Sequence, residues 1–325
     1  HGGEGRERAG GIRVFGLEER THSRERYVIM MEKSKYLEGV DKKDLFAHGH
    51  RACGGCGQAL AARLVHDAAG ENTIACVATG CLEVFSSPYP DPAWRIPFLH
   101  SLFENPAAVA SGVEAAYKAL GKGPVNIIAQ GGDGCTADRG CQAISGMFER
   151  GHNVLYVCYD NEAYMNTGVQ RSSFTPYGAR TTTTPKGNKT RKKNLPMIAA
   201  DHGIPYVATA TVDDFRDVQQ KIKKALSIEG PKYIHILAPC PLGWGHHGEL
   251  TVEVCRLAKD TGLFPVFEIV NGKVTNVRRI PVKVPVEEYL KVQGRFKHLF
   301  KRGVPTEEVS EIQEIANENI ERFNL

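Results

Sequence analysis

A doubly wound α/β fold with a mostly parallel sheet is predicted by three features of this 325-residue chain. Short segments rich in Val, Ile and Tyr alternate with Ala- and Leu-rich segments long enough to be helices, the order expected of βαβ units. The strand candidates are apolar almost without interruption, as strands covered on both faces must be. Two of them run directly into polar turns, at 131–134 and 160–161, and in such sheets ligands collect at the carboxyl ends of strands.

The elements follow in order. Residues 57–69 read as a helix, rich in Ala and Leu with few breakers. A β-rich run over 73–79 ends at Gly80-Cys81. Residues 106–120 form a helix, with Pro106 in its first turn and Gly121 as its stop. A strand over 125–130 enters Gly131-Gly132-Asp133-Gly134, and a helix over about 138–150 and a strand over 153–159 follow. Then come a strand at 205–210, a helix at 213–227, a strand at 232–238 and a helix at 249–261. From about 264 a tail carries a hairpin turning on Asn271-Gly272 and a polar helix over 305–323. Residues 171–196 are rich in Ser, Thr, Pro, Gly, Lys and Arg without hydrophobic period. Loops this long inside compact domains are usually functional.

Bulk properties narrow the classes. A net charge of +4, with 42% hydrophobic and 24% charged residues, describes an ordinary globular chain and gives no argument for nucleic acid. No apolar run approaches the length of a transmembrane helix, about 18 residues. Residues 1–26 are rich in Gly, Arg and Glu and lack the apolar core of a secretory signal. Residues 1–35 are read as a flexible arm or a non-native extension. The nine cysteines are odd in number, so a disulfide framework is not expected and the cytoplasm is the default compartment.

Two constellations carry chemistry. Gly132-Asp133-Gly134 ends a strand and opens a helix, and Asp160-Asn161 follows the next strand about 25 residues on. A diphosphate needs backbone N–H groups at a helix start, with glycines permitting close approach. It also needs a hard cation held by carboxylate and other oxygen ligands. The arrangement resembles the thiamine diphosphate signature, with Asp160 at its first Asn. That resemblance implies Mg²⁺ ligation by Asp133, the Asn161 side chain and the Ala163 carbonyl, with Gly132, Gly134 and Thr136 against the diphosphate. The plain alternative is a glycine-rich βα turn beside an unrelated Asp-Asn turn.

The second constellation is Cys53-Gly-Gly-Cys56 with Cys81 after one strand and Cys240 after another. Four thiolates suit an iron–sulfur cluster. They also suit structural zinc, and spacing alone leaves both open. Cys76, Cys135, Cys141, Cys158 and Cys255 read as buried small hydrophobes.

Several longer motifs resemble one family. They are GHRACGGCG at 49–57, ATGCLE at 78–83, Phe103-Glu104-Asn105, ASGVEA at 110–115, the glycine-rich block at 131–140, NVLYVCYDNEAYMNTGVQRSS at 153–173, TPYG at 175–178 and CPLGW at 240–244. Over roughly 47–272 the chain resembles the beta subunits of pyruvate and related 2-oxoacid:ferredoxin oxidoreductases. The resemblance implies a thiamine diphosphate-binding fold over 36–263, with an iron–sulfur-binding N-terminal loop and a C-terminal extension over 264–325. It assigns Cys53, Cys56, Cys81 and Cys240 to a [4Fe–4S] cluster and makes Asn166 the candidate polar contact to substrate.

The implied activity is oxidative decarboxylation of a 2-oxoacid, foremost pyruvate, with coenzyme A taking the acyl group and electrons leaving through the cluster to ferredoxin. Oxalate, 2-ketoisovalerate and 2-oxoglutarate are alternative substrates, and a non-redox thiamine-dependent decarboxylase is the alternative enzyme. Alpha, gamma and delta-type subunits are the implied partners, the alpha chain supplying the glutamate that activates the cofactor, so Glu83 and Glu104 are not expected to do so. Basic residues at 180, 186, 189, 191, 192 and 193 are expected either to attract coenzyme A or ferredoxin or to lie on a solvated loop. His50, His100, His246 and His247 are read as surface or core histidines.

Overall fold

The structure, a computed structural model, describes residues 37–325. The expected arm at 1–35 lies outside them. Asp41–Leu325 form one compact unit.

The elements run α1 (Gly57–Ala69), β1 (Thr73–Ala78), α2 (Cys81–Ser86), β2 (Phe98–Ser101), α3 (Pro106–Ala119), β3 (Asn126–Gly132), α4 (Cys141–Glu149), β4 (Leu155–Asp160), α5 (Leu195–Asp201), β5 (Tyr206–Thr211), α6 (Phe215–Leu226), β6 (Lys232–Leu237), α7 (Pro241–Trp244), α8 (Thr251–Asp260), β7 (Phe267–Val270), β8 (Lys273–Val277), α9 (Val286–Lys291) and α10 (Glu307–Phe323). Two two-residue strands form a small hairpin at 300–305. The main sheet has the order β2-β1-β3-β4-β6-β5-β7-β8. Its first six strands are parallel. The predicted hairpin on Asn271-Gly272 is present, and it extends the sheet: β7 lies antiparallel to β5 and β8 antiparallel to β7. The C-terminal extension is thus built into the same unit as the rest.

Strands β1, β4, β5 and β6 are buried along their whole length, which is why their sequences show no alternation. On one face Cys76, Ala129, Tyr156 and Val207 pack with Ala107 and Ala110 of α3, Ile144 and Met147 of α4, Ala199 of α5, and Phe323 of α10. Gln130 points to the other face, where its Oε1 accepts from Tyr159 OH (2.7 Å) and pairs with His66 of α1 (3.2 Å). Helix α6 packs on α1.

Two expectations change. The helix predicted from 138 begins at Gly134 as a π-helical turn, Gly134–Arg139, before α4. The break falls at Gly140, where a Cβ would sit 2.5 Å from the Cys135 carbonyl. Short elements β2, α2, α5 and α7 were not predicted, since four to seven residues carry too little periodicity.

Chain order explains where a ligand can go. From β1 the chain crosses to β2 on one side and returns to β3 on the other, so β1 and β3 flank a topological switch point, and a crevice opens beyond their carboxyl ends. Phe323 stacks on Phe267 of β7, with centroids 4.6 Å apart and planes 13° apart, clamping α10 to the sheet. Replacing it with Ala (F323A) is expected to cost about 3 kcal/mol, read as an earlier denaturation midpoint with unchanged slope. An unshifted midpoint would show that α10 is not part of the cooperative unit.

Candidate cofactor and sulfur site

A cavity of about 90 Å³ fills the switch-point crevice. Gly132, Asp133 and Gly134 from the end of β3, Asn161, Ala163 and Asn166 from beyond β4, and Cys81 from beyond β1 all line it. Sequence spacing thus brings seven predicted residues to one wall. A Cβ on Gly132 would meet nothing within 4 Å, so this glycine faces open space, whereas one on Gly134 would lie 2.4 Å from the Tyr164 ring. Tyr164 is fixed by its hydroxyl donating to Asp138 Oδ2 (2.8 Å) and by stacking on Phe103.

Thr136 departs from expectation. It is absent from this lining; its hydroxyl donates to Gly132 O (2.6 Å) and pairs with Tyr156 OH (3.1 Å). It braces the π-helical turn from within.

Asp133 is buried, and its Oδ2 accepts from the Ser172 hydroxyl at 2.5 Å. Burial, reinforced by the charge of Asp160, holds its carboxyl well above the usual carboxylate range, against the Ser172 hydrogen bond. A terminal atom of the Asn161 side chain lies 3.1 Å from Asp133 Oδ1 and 2.7 Å from Ala163 O. As the amide nitrogen it donates to both. As the amide oxygen it completes three facing oxygens, which repel unless a cation lies between them. Neighbouring ligands in an octahedron about 2.1 Å from Mg²⁺ stand about 3 Å apart, close to these separations. The donor set fits a hard divalent cation.

Asp160, at the signature position usually held by Asn, takes no part in that oxygen set. Its Oδ1 accepts the Glu162 N–H (2.9 Å), shaping the turn that presents Asn161. Its Oδ2 accepts from Lys192 Nζ (2.7 Å) and pairs with His235 Nε2 (2.9 Å). Burial opposes its charge, but Lys192 and His235 outweigh it and hold the carboxyl below its ordinary range.

Cys53 and Cys56 lie in the loop before α1, Cys81 follows β1 and Cys240 follows β6. Three lie at helix starts: Cys56 precedes α1, Cys81 is the first residue of α2, and Cys240 precedes α7. Gly243 N–H donates to Cys240 Sγ (3.3 Å), and Cys56 receives N–H groups of Ala59 and Gln58. The knuckle is locked to the end of β6 by Gly57 N–H donating to Pro239 O (3.1 Å). Gly55 lies so close to Gly248 that a Cβ would come within 2.4 Å of its backbone. Burial pushes the Cys56 thiol up to about 11 and the Cys81 thiol up to about 12. Both feel Cys53 and Cys240. Among the described residues no three His, Cys, Asp or Glu side chains gather closely enough to hold one metal ion. Cys56 and Cys240 each receive backbone N–H groups, contacts that suit thiolates holding an iron–sulfur cluster. Of the remaining cysteines, 76, 135, 158 and 255 are buried as expected, and Cys141 is half-buried.

The basic residues of the 171–196 loop have partners that the sequence did not show. Lys189 pairs with Glu308 and Arg191 with Glu318 of α10, Lys192 is bound to Asp160 and Glu162, and Lys193 donates to Ala137 O. Four of the six cations thus have internal partners. The loop instead supports the cavity: Ser172 holds Asp133, and the Thr175 hydroxyl donates to Glu162 O (2.7 Å).

Sequence reasoning missed Ser172, Gln58, Trp244 and Arg295. Gln58 is buried and lines the cavity with an unpartnered Oε1; its place directly after the cysteine knuckle was the available signal. His100 pairs with the Thr79 hydroxyl (2.8 Å), while His246 is buried against Trp244.

Because its surroundings raise the Asp133 carboxyl above the usual carboxylate range, a cation entering this oxygen set competes with a proton there. Affinity for Mg²⁺ with thiamine diphosphate is therefore expected to tighten as pH rises, with proton release. Calorimetry in buffers of different ionisation enthalpy checks this, and buffer-independent heats would contradict it.

The description "Thiamine pyrophosphate enzyme, C-terminal TPP binding domain" matches residues 78–236. Pyruvate synthase subunit PorB of Methanosarcina barkeri is 54% identical over 289 residues, covering 87% of this chain and 98% of that protein. Ketoisovalerate oxidoreductase subunit VorB of Pyrococcus abyssi is 48% identical, covering 80% and 87%. A solved structure of 2-oxoglutarate:ferredoxin oxidoreductase from Magnetococcus marinus, with 2-oxoglutarate, coenzyme A and succinyl-CoA bound, superposes with a TM-score of 0.52 at 25% identity, covering 65% of this chain and 69% of that one. The chain has a thiamine diphosphate-binding domain and is a subunit of a multi-subunit oxidoreductase. On the strength of the identity along nearly its whole described length, this chain belongs to the family of pyruvate synthase PorB proteins, the beta subunits of 2-oxoacid:ferredoxin oxidoreductases.

Proposed function

We propose that this chain holds thiamine diphosphate through Mg²⁺ at Asp133, Asn161 and the Ala163 carbonyl. In the same reading Cys53, Cys56, Cys81 and Cys240 hold a [4Fe–4S] cluster, and the complex converts pyruvate and coenzyme A to acetyl-CoA and carbon dioxide while reducing ferredoxin in the cytoplasm. The observation that carries this reading is the shared cavity, with Cys81 on the same lining as Gly132, Asp133, Gly134, Asn161 and Ala163. No helix among the described residues is long and apolar enough to cross a membrane.

When bound, the thiamine group supplies an electron sink for loss of carbon dioxide. The chain's own residues do the positioning. Gly132 leaves room for the diphosphate, the facing oxygens take the cation, and Tyr164 and Phe103 wall the cavity with aromatic surface that excludes water. The amide groups on Cys56 and Cys240 stabilise negative charge on sulfur. Asn166 lines the cavity and is exposed, a position from which its amide reaches a substrate at the mouth. We assign the cofactor-activating glutamate to an alpha-type partner, with gamma and delta-type subunits completing the complex. The pyruvate assignment follows the PorB relatives, and ketoisovalerate is the first competitor because of the VorB relative.

The test uses the native complex purified without oxygen, assayed for ferredoxin or viologen reduction with a panel of 2-oxoacids, with and without coenzyme A. Coenzyme A-dependent activity, highest with pyruvate, is expected; oxalate oxidation independent of coenzyme A would overturn the assignment. Cys81→Ser is expected to lower the iron and sulfide of this chain while thiamine diphosphate still binds, and Asp133→Asn to do the reverse. Zinc in place of iron would sink the cluster assignment.

A further inference from the structure

Glu162 stands between Asn161 and Ala163, the two cation-loop residues proposed above, with φ at +67°. That left-handed conformation is unfavourable for a residue with a Cβ, so something must hold it. Its N–H donates to Asp160 Oδ1 (2.9 Å) and its carbonyl accepts from Thr175. Its side chain is almost wholly buried, with Oε1 taking Lys192 Nζ at 2.6 Å and Oε2 taking the Arg295 guanidinium at 2.5 Å.

Arg295 comes from the C-terminal extension, outside both the motif region and the matched domain. It is as buried as Glu162. Its Nε donates to Gln293 Oε1 (2.9 Å), the same Nη2 that meets Glu162 also donates to Tyr289 OH (3.3 Å), and its guanidinium lies 3.8 Å from the centroid of the Trp244 ring. Trp244 in turn donates from Nε1 to the Asn161 carbonyl (2.6 Å). Gly294 N–H donates to Gly245 O (3.0 Å), fixing the segment that carries Arg295 against the segment that follows Cys240. One guanidinium thus grips the 161–163 turn twice: through the Glu162 carboxylate and, by way of Trp244, through the Asn161 backbone.

We propose that Arg295 is a positioning residue for the cation-binding turn, holding Glu162 in its left-handed conformation so that the Asn161 side chain and Ala163 carbonyl face Asp133 together. The proposal rests on the assignment of the cation to that oxygen set. Planar, forked geometry is what the role demands, because one group must meet a carboxylate edge-on and stack on an indole at once. Residues that orient metal ligands from behind typically change metal affinity about 10- to 100-fold when removed.

The test is made on the anaerobically purified complex, with Mn²⁺ as the probe, titrated in the presence of thiamine diphosphate and read by electron paramagnetic resonance. Arg295→Met is expected to weaken Mn²⁺ binding about tenfold or more, while iron and sulfide content stay unchanged. Arg295→Lys keeps a cation on Glu162 but loses the fork, and is expected to recover only part of the affinity. Arg295→Met combined with Glu162→Gln removes the stranded buried carboxylate, so it folds even where the single variant does not, and its Mn²⁺ affinity is expected to remain weak. Wild-type Mn²⁺ affinity in that double variant would overturn the proposal, as would loss of iron in parallel with loss of Mn²⁺, which would mark general destabilisation. Asp133→Asn separates the two claims. If it leaves Mn²⁺ affinity unchanged, the oxygen-set assignment fails; if it abolishes binding while the Arg295 variants bind normally, only the role of Arg295 fails.

Discussion

Two buried carboxylates, Asp160 and Glu162, lie two residues apart at the end of β4, and the candidate site depends on their being neutralised together. Lys192 bridges both, His235 completes the shell of Asp160, and Arg295 that of Glu162. Burying such charges is costly, and a well-packed apolar cluster would serve stability as well or better. What ions add is direction. Each carboxylate oxygen must meet its donor at a set angle, so the backbone between them has little freedom. That backbone is the turn carrying Asn161. The cage draws one cation from the long loop and one from the C-terminal extension, so three distant stretches of chain must fold before the turn takes its shape.

The same economy appears at the sulfurs. Burial pushes the thiols of Cys56 and Cys81 up to about 11 and about 12, and burial with the Asp160 charge raises the Asp133 carboxyl above the usual carboxylate range. At both sites burial therefore disfavours the bare anion. A metal that binds there competes with a proton for each ligand. Amide groups at the starts of α1 and α7 already point at Cys56 and Cys240, so the field that stabilises bound sulfur exists before any metal arrives. A helix start is favourable for an anion whether the anion is a phosphate or a thiolate. This explains why glycine-rich turns at strand ends serve both constellations. The crevice between β1 and β3 gives the two sites a common wall: Cys81 opens α2 on one bank, and Asp133 leads into the π-helical turn on the other.

How much of this could be read from sequence depended on distance along the chain. Cys53 and Cys56, or Gly132 and Asp133, announce themselves because their chemistry is set by residues a few positions away. Asp133 and Asn161 could be paired because one βαβ unit has a nearly fixed length, which places their strand ends side by side. The partners of the basic run at 189–193 were not legible for the opposite reason. Its composition is that of a solvated or ligand-attracting loop, and nothing local says that Glu308, Glu318, Asp160 and Glu162 lie opposite. Thr136 was drawn toward the diphosphate by its motif, yet the π-helical turn directs its hydroxyl back to Gly132.

Arg295 is the limiting case. It lies more than 130 residues from its carboxylate partner, in a segment with no motif, and its neighbours Gln293 and Phe296 give no hint of a buried charge. Its role is legible only from the backbone of Glu162, where a β-carbon-bearing residue in the left-handed region demands a restraint and the guanidinium is the group that meets the demand. A strained backbone in the middle of a ligand loop points outward to whatever holds it, and here that path leads away from the motif residues into the C-terminal extension. The extension is therefore more than a cover for the sheet edge. By closing the cage around Glu162 it ties the shape of the cation turn to the folding of the last fifth of the chain, so a chain lacking that extension can retain every motif residue and still fail to gather the three oxygens.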